Sequence, residues 1–120
     1  MRVLIVESDP NLGWLWKRHL ERFSAEVRIA RGQAEAVAFL EAQSVEVIVL
    51  DLVLEEGSAI AVADYASYRH PSTRVVFVTN TSFFSDGSIF QHIPNACAFL
   101  PSATPPEDLA AVVEHYGSTG

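Results

Sequence analysis

The sequence is short of the residues on which several classes of protein depend. It contains one cysteine, Cys97, which excludes an internal disulfide and a metal site built from several cysteines. Only 8 Lys and Arg stand against 15 Asp and Glu, and the formal net charge is −7. Nucleic acids and anionic membranes bind through basic surfaces, so we expect neither as a direct partner. Lys17 is the only lysine in the chain.

Long hydrophobic runs are also missing. The apolar run at the N-terminus, residues 3–6, is too short for a signal peptide or a membrane-spanning helix. With 49% hydrophobic and 19% charged residues, the composition is typical of a globular protein. The length favours a single domain, which we expect over residues 1–117 with a flexible tail over 118–120. We expect a stand-alone cytoplasmic protein.

Strand-like and helix-like patterns alternate along the chain. Apolar or alternating runs typical of strands occur at 3–6, 25–30, 45–51, 74–79 and 96–100. Helical spacing of apolar residues occurs at 10–23, 33–42, 58–68 and 105–116, and a short helix is expected around 88–93. This alternation predicts an α/β fold: a doubly wound, five-stranded parallel sheet with helices on both faces. The expected strand order is the flavodoxin-like 2-1-3-4-5.

Two carboxylates end two of the predicted strands. The third strand is apolar on both faces, as in a buried parallel strand, and it ends at Asp51. Glu7 follows the first strand in the same way. In the 2-1-3-4-5 order these strands are neighbours, and ligands bind in the crevice at their carboxyl ends. The sequence therefore predicts a site around Glu7 and Asp51, with Asp51 as the principal candidate.

The residues around these acids resemble the receiver domain of two-component response regulators. The resemblance lies in residues 3–10, 48–58, 76–80 and 98–102, and it extends over nearly the whole chain. It implies that Asp51 accepts a phosphoryl group from a sensor histidine kinase or a phosphotransfer protein. It also implies that the domain signals to an effector protein by direct contact.

The resemblance further implies roles for individual side chains. In the family, Mg²⁺ is held by acids after the first strand, by the acceptor aspartate and by a backbone carbonyl two residues later. Here these are Glu7, Asp51 and Val53, with Asp9 as a further candidate ligand. The resemblance also assigns the phosphate-binding hydroxyl to Thr79 and the switch aromatic to Phe99, although each also suits a plain strand residue.

Three positions depart from the family pattern. The second acid of the first-strand pair is Ser8, the lysine after the fifth strand is Ser102, and the proline common in the loop after the acceptor is Glu55. Glu55 and Glu56 add negative charge to the loop after Asp51. Because an ion pair that loses one partner costs about 3–5 kcal/mol, we expect weak Mg²⁺ binding and weakened phosphoryl binding.

The departures leave alternatives open. One is a pseudo-receiver that binds a protein partner without phosphorylation. Another is a small flavodoxin-like enzyme or cofactor binder. This one is less favoured, because the sequence has no glycine-rich phosphate loop and no nucleophile elbow. We expect no enzymatic activity.

A partner surface is predicted between the fourth and fifth strands. Three phenylalanines, Phe83, Phe84 and Phe90, fall in an irregular segment that matches the signalling face of the family. An exposed apolar patch is one interpretation, and a locally repacked core is the other. A homodimer through the fourth and fifth helical segments is a further possibility suggested by the family.

Overall fold

The computed structural model describes residues 1–79 and 93–118. The strands in these ranges are β1 (Arg2–Val6), β2 (Glu26–Ala30), β3 (Val47–Asp51), β4 (Arg74–Thr79) and β5 (Ala96–Pro101). The helices are α1 (Pro10–Glu21), α2 (Gln33–Ala42), α3 (Ala59–Arg69) and α4 (Pro106–Ser118). The helix expected around 88–93 lies outside the described residues except for Ile93, which is not helical.

The five strands form one parallel sheet in the order β2-β1-β3-β4-β5. The predicted fold class and strand order are therefore confirmed. Several boundaries differ from expectation by one or a few residues. The clearest are the end of α1, at Glu21 and before Phe23, and the end of α4, at Ser118 in the expected flexible tail. The two last residues of the chain, 119–120, lie outside the described ranges.

Alternate residues of each strand pack against helices on opposite faces of the sheet. Leu4, Ile48 and Phe77 belong to the face covered by α2 and α3. Ile5 and Val49 belong to the face covered by α1 and α4, where the fully buried Trp16 also packs. This is why the strand runs are apolar on both faces. Within the described residues, no helix has the length and apolar character needed to cross a membrane.

Side-chain caps fix where two of the helices begin. Asp9 accepts a hydrogen bond from the backbone N–H of Asn11, with Pro10 in the first turn of α1. Ser58 accepts one from the N–H of Ala61 at the start of α3. Such caps stabilise a helix by about 1 kcal/mol. Both helices start from loops that follow the carboxyl ends of β1 and β3, so the caps also help to shape the predicted site.

Candidate functional site

Glu7 and Asp51 lie at the carboxyl ends of two adjacent strands. β1 and β3 are paired up to Val6 and Leu50, and Glu7 and Asp51 are the next residues of each. Glu7 is only 3% exposed, whereas Asp51 is partly exposed. The fold thus places one buried and one accessible carboxyl group side by side, at the position that the sequence predicts.

Glu7 has one oxygen satisfied and one without a partner. Its Oε2 accepts a hydrogen bond from the Asp9 N–H at 2.9 Å, whereas Oε1 is buried and has no hydrogen-bond partner among the described residues. Burial, and next a hydrogen bond with the Asp51 side chain, raise the pKa of Glu7 to about 8. Protonation gives the carboxyl group a donor that the Asp51 carboxylate can accept, and it removes a costly buried charge. A cation between Glu7 and Asp51 would likewise compensate the buried negative charge of Glu7.

The donors around this pair fit part of a Mg²⁺ shell. Magnesium takes oxygen ligands and is usually bound by one or two carboxylates, with water filling other positions. The orphaned Oε1 of Glu7 and the Asp51 carboxylate are donors of this kind. Residues 1–79 and 93–118 contain no group of three or more His, Cys, Asp or Glu that could hold a metal. Asp9 therefore does not complete a three-carboxylate set, and its Oδ1 caps α1.

The backbone after Asp51 turns back onto the acceptor side chain. The N–H of Val53 donates to Asp51 Oδ1 at 2.9 Å, and the N–H of Leu52 donates to the carbonyl of Val78 on β4. The first bond orients the carboxylate and keeps the Val53 backbone close to it. The Val53 side chain is 61% exposed. We call residues 52–58 the acceptor loop.

Ser8 makes two hydrogen bonds that the sequence did not reveal. Its Oγ donates to the carbonyl oxygen of Arg31 at 2.8 Å and accepts from the N–H of Glu55 at 2.9 Å. Sequence reasoning treated Ser8 only as a missing acid. A small hydroxyl residue directly after a strand is consistent with such a link, but its partners are 23 and 47 residues away in sequence and carry no local signal.

Glu56 caps the N-terminus of α2. Its Oε2 accepts a hydrogen bond from the N–H of Ala34 at 3.1 Å, and its carbonyl oxygen accepts from Gln33 at the same distance. The residue before α2 is Gly32, which has no side chain to cap the helix, and a Cβ there would lie 2.9 Å from the Glu56 carbonyl oxygen. The negative charge that Glu56 brings to this loop therefore also stabilises α2, because the helix dipole favours a carboxylate at a helix N-terminus.

The other predicted residues lie on the β4 and β5 side of the site. Thr79 is 2% exposed at the end of β4, and its carbonyl oxygen accepts a hydrogen bond from the N–H of Ser102 at 2.8 Å. Phe99 is paired with Phe77 and packs, partly buried, against the core under α2 and α3. Phe99 is thus a core-contacting residue, and its movement as a switch stays a prediction.

Two further surfaces bear on the predictions. Phe83, Phe84 and Phe90, the predicted partner surface, lie outside the described residues. A cleft of about 860 Å³ lies at the opposite edge of the sheet from Asp51, where β3, β4 and β5 begin. Arg69, Arg74 and Asn95 line this cleft, which includes none of the predicted site residues.

Comparison with known proteins agrees with this arrangement. The family model for the response regulator receiver domain matches residues 3–92. The chain belongs to this family. A receiver domain is the part of a two-component response regulator that receives the signal, so the recognition drawn from the four sequence segments is confirmed.

A curated relative gives further support for this receiver domain. Response regulator protein PilR of Pseudomonas aeruginosa is 31% identical over 78 residues, which are 65% of this chain. The matched segment is only 18% of PilR, so the chain spans a small part of the relative's length.

Solved structures show the same fold as this receiver domain. A CheY-like receiver domain protein from Methanospirillum hungatei JF-1 superimposes with a TM-score of 0.88 at 24% identity, over 98% of this chain and 94% of that one. Response regulator TrrA from Thermotoga maritima, solved in complex with Mg(2+)-BeF, gives a TM-score of 0.83 at 19% identity. That match covers 96% of this chain and 97% of TrrA. Receiver domains are signalling modules and not typical enzymes.

Proposed function

We propose that this receiver domain accepts a phosphoryl group on Asp51 and signals through contact with another protein. The observation that supports this most directly is the pairing of a partly exposed Asp51 with the buried Glu7, whose Oε1 lacks a partner. A phosphohistidine of a sensor kinase or phosphotransfer protein would be the donor. The Asp51 oxygen would attack phosphorus as the bond to the histidine nitrogen breaks.

Glu7, Asp51 and the Val53 carbonyl are the residues that would hold Mg²⁺. The ion would supply positive charge where the carboxylate and the phosphoryl group meet. The donor set of this chain supports the assignment in part, and the TrrA complex with Mg(2+)-BeF is an example from a protein of the same fold. Since a proton on Glu7 competes with the metal, we expect Mg²⁺ to bind more tightly as pH rises towards 8.

The β4 and β5 side would bind the phosphoryl group through Thr79. Its backbone is joined to Ser102, at the position where the family has a lysine. A serine cannot supply the positive charge, so we propose a phosphorylated state that is less strongly stabilised than in a complete receiver. The partners we propose are a kinase or phosphotransfer protein and an effector, in the cytoplasm, where receiver domains generally act.

Labelling by acetyl phosphate in the presence of Mg²⁺ tests this proposal. Intact-mass spectrometry should show the addition of one phosphoryl group to the wild type and none to Asp51→Asn. Glu7→Gln is the matched variant, because it keeps the size of the buried side chain while removing its capacity to ionise. We expect it to reduce labelling without unfolding the domain. Labelling that persists in Asp51→Asn, or no labelling of the wild type at high Mg²⁺, would contradict the proposal.

A second candidate function is protein binding without phosphorylation. It is favoured by Ser8 and Ser102, which stand where the family has an acid and a lysine and which supply neither charge. Under this alternative Asp51 is not phosphorylated, and partner binding is indifferent to acetyl phosphate. Equal affinity for a partner before and after treatment of the wild type would favour this alternative.

A further inference from the structure

The Ser8 hydroxyl connects two loops at the carboxyl edge of the sheet. It donates to the Arg31 carbonyl oxygen, directly after β2, and it accepts from the Glu55 N–H in the acceptor loop. A serine hydroxyl has one proton to donate and lone pairs to accept with, so both of its capacities are used. The position where the family has a metal-binding acid therefore serves here as a link between the acceptor loop and the segment leading into α2.

Other hydrogen bonds hold the same loop on the same helix. The side chain of Gln33, the first residue of α2, accepts from the N–H of Ser58 at 2.8 Å, and Glu56 caps the helix in return. Gly57 has a φ of 82°, a left-handed conformation that favours glycine, and a Cβ there would overlap the Gln33 side chain. The acceptor loop is thus packed tightly on α2 along residues 56–58.

We propose that Ser8 is a positioning residue for the Asp51 site. By fixing Glu55, its hydroxyl holds the acceptor loop in place and so keeps the Val53 carbonyl beside Asp51. Glu55 lies only two residues beyond Val53, which is itself hydrogen-bonded to the Asp51 side chain. The inference rests on the proposed function, because it assigns Ser8 a part in the same metal and phosphoryl site.

The chemistry of residue 8 determines which variants are informative. Alanine loses both hydrogen bonds, whereas threonine keeps a hydroxyl that can donate and accept. An ionised aspartate could accept from Glu55 but could not donate to Arg31, and two acceptor oxygens would then face each other. Ser8→Ala and Ser8→Thr therefore separate the role of the hydroxyl from the role of the residue's position.

Amide hydrogen exchange in metal-free buffer tests the link itself. In Ser8→Ala we expect the Glu55 amide to exchange about fivefold faster, because one hydrogen bond contributes about 1 kcal/mol. Ser8→Thr should restore exchange close to the wild-type rate. NMR resolves this amide individually, so a general loss of stability, which would affect the amides of β1 and β3 as well, can be recognised.

Calorimetric titration with Mg²⁺ alone tests the positioning role. We expect Ser8→Ala to bind Mg²⁺ about tenfold more weakly, as when a metal site loses an outer partner, and Ser8→Thr to bind almost as well as the wild type. Thr73→Val is the matched control. It removes a buried hydrogen bond of 2.6 Å to the Val45 carbonyl at the far edge of the sheet, so it should lower stability and leave Mg²⁺ affinity unchanged.

Each outcome supports or overturns the proposal. Unchanged exchange of Glu55 in Ser8→Ala would overturn the link between the loops. Faster exchange with unchanged Mg²⁺ affinity, or an equal loss of affinity in Thr73→Val, would overturn the positioning role. The hydrogen-exchange experiment needs neither metal nor phosphate. Absence of the Ser8 link can therefore be distinguished from failure of Asp51 to be phosphorylated.

Discussion

The two sides of the Asp51 site differ in what replaces a missing family residue. On the β1 side, Ser8 uses its hydroxyl in two hydrogen bonds that join the acceptor loop to the segment before α2. On the β5 side, Ser102 contributes a backbone N–H to the Thr79 carbonyl, a bond that any residue except proline could make. Ser8 therefore has a structural role of its own. At Ser102 the positive charge of the family lysine is lost, and the described residues show no side-chain role in its place.

We therefore expect substitutions at Ser8 and at Ser102 to have different effects on the domain. Changing Ser8 disturbs a loop that is packed on α2, so its effects extend to stability and loop geometry. A change at Ser102 should mainly alter the affinity for an anion, such as a phosphoryl group, that binds beside Thr79. Substitutions at Glu7, Gly57 and Ser102 test this contrast, and their expected effects decrease in that order.

The largest expected effect is on the β1 side, at Glu7. Its pKa is raised from 4.5 to about 8 in the folded protein, so between these pH values the folded state holds a proton that the unfolded state releases. The free energy of unfolding should therefore fall as pH rises from 4.5 to 8, by at most about 1.4 kcal/mol per pH unit from this group. Glu7→Gln removes this contribution. In metal-free buffer the variant should gain stability relative to the wild type as pH rises.

Chemical denaturation of both proteins between pH 5 and about pH 9 measures this contrast. Titrating groups that do not contact Glu7 are common to both proteins and cancel in the difference, whereas Asp51 interacts with Glu7 directly. Curves that stay parallel across the range would contradict the assignment of a raised pKa to Glu7.

The next effect concerns the acceptor loop at Gly57. Gly57→Ala places a Cβ at a φ of 82° and against the Gln33 side chain, so we expect a loss of about 3 kcal/mol in the free energy of unfolding. Ser102→Ala is the comparison on the β5 side, because it retains the backbone bond to Thr79, and it should cost less than about 0.5 kcal/mol. Thermal and urea unfolding provide the measurement. Similar losses for the two variants would remove the distinction between the sides.

The smallest effect is a gain of function on the β5 side. Ser102→Lys supplies a positive charge at the family position, and we expect it to tighten binding of beryllofluoride in the presence of Mg²⁺ about tenfold, or about 1.4 kcal/mol. Ser102→Gln, a polar side chain without charge, is the control. Equal affinities for the lysine and glutamine variants would show that charge at this position does not matter.

Much of the fold could be predicted because its local signals agree. The apolar runs that end at Val6 and Asp51, the Asp9 and Ser58 caps and the His70-Pro71 helix end all specify the same α/β order. The side-by-side placement of Glu7 and Asp51 then follows from strand order alone. Trp16 was buried and Trp14 exposed, as helical spacing predicts.

The contacts of Ser8 and Glu56 could not be predicted in the same way. Both reach partners more than twenty residues away in sequence, namely Arg31 and Ala34. Such long-range hydrogen bonds depend on loop geometry, which has no periodic sequence signal. A glycine before a helix is equally consistent with an ordinary turn, so the close approach of Gly32 to Glu56 has no sequence signal of its own.

The most direct test of the account is a titration of the Mg²⁺-loaded protein with beryllofluoride, followed by the backbone amide resonances of the described residues. We expect saturable shifts at Val53, Thr79 and Ser102, which lie at or just beyond the carboxyl ends of β3, β4 and β5, and no shifts at these positions in Asp51→Asn. Shifts that are absent from the wild type, or that persist in Asp51→Asn, would contradict the assignment of Asp51 as the phosphoryl acceptor.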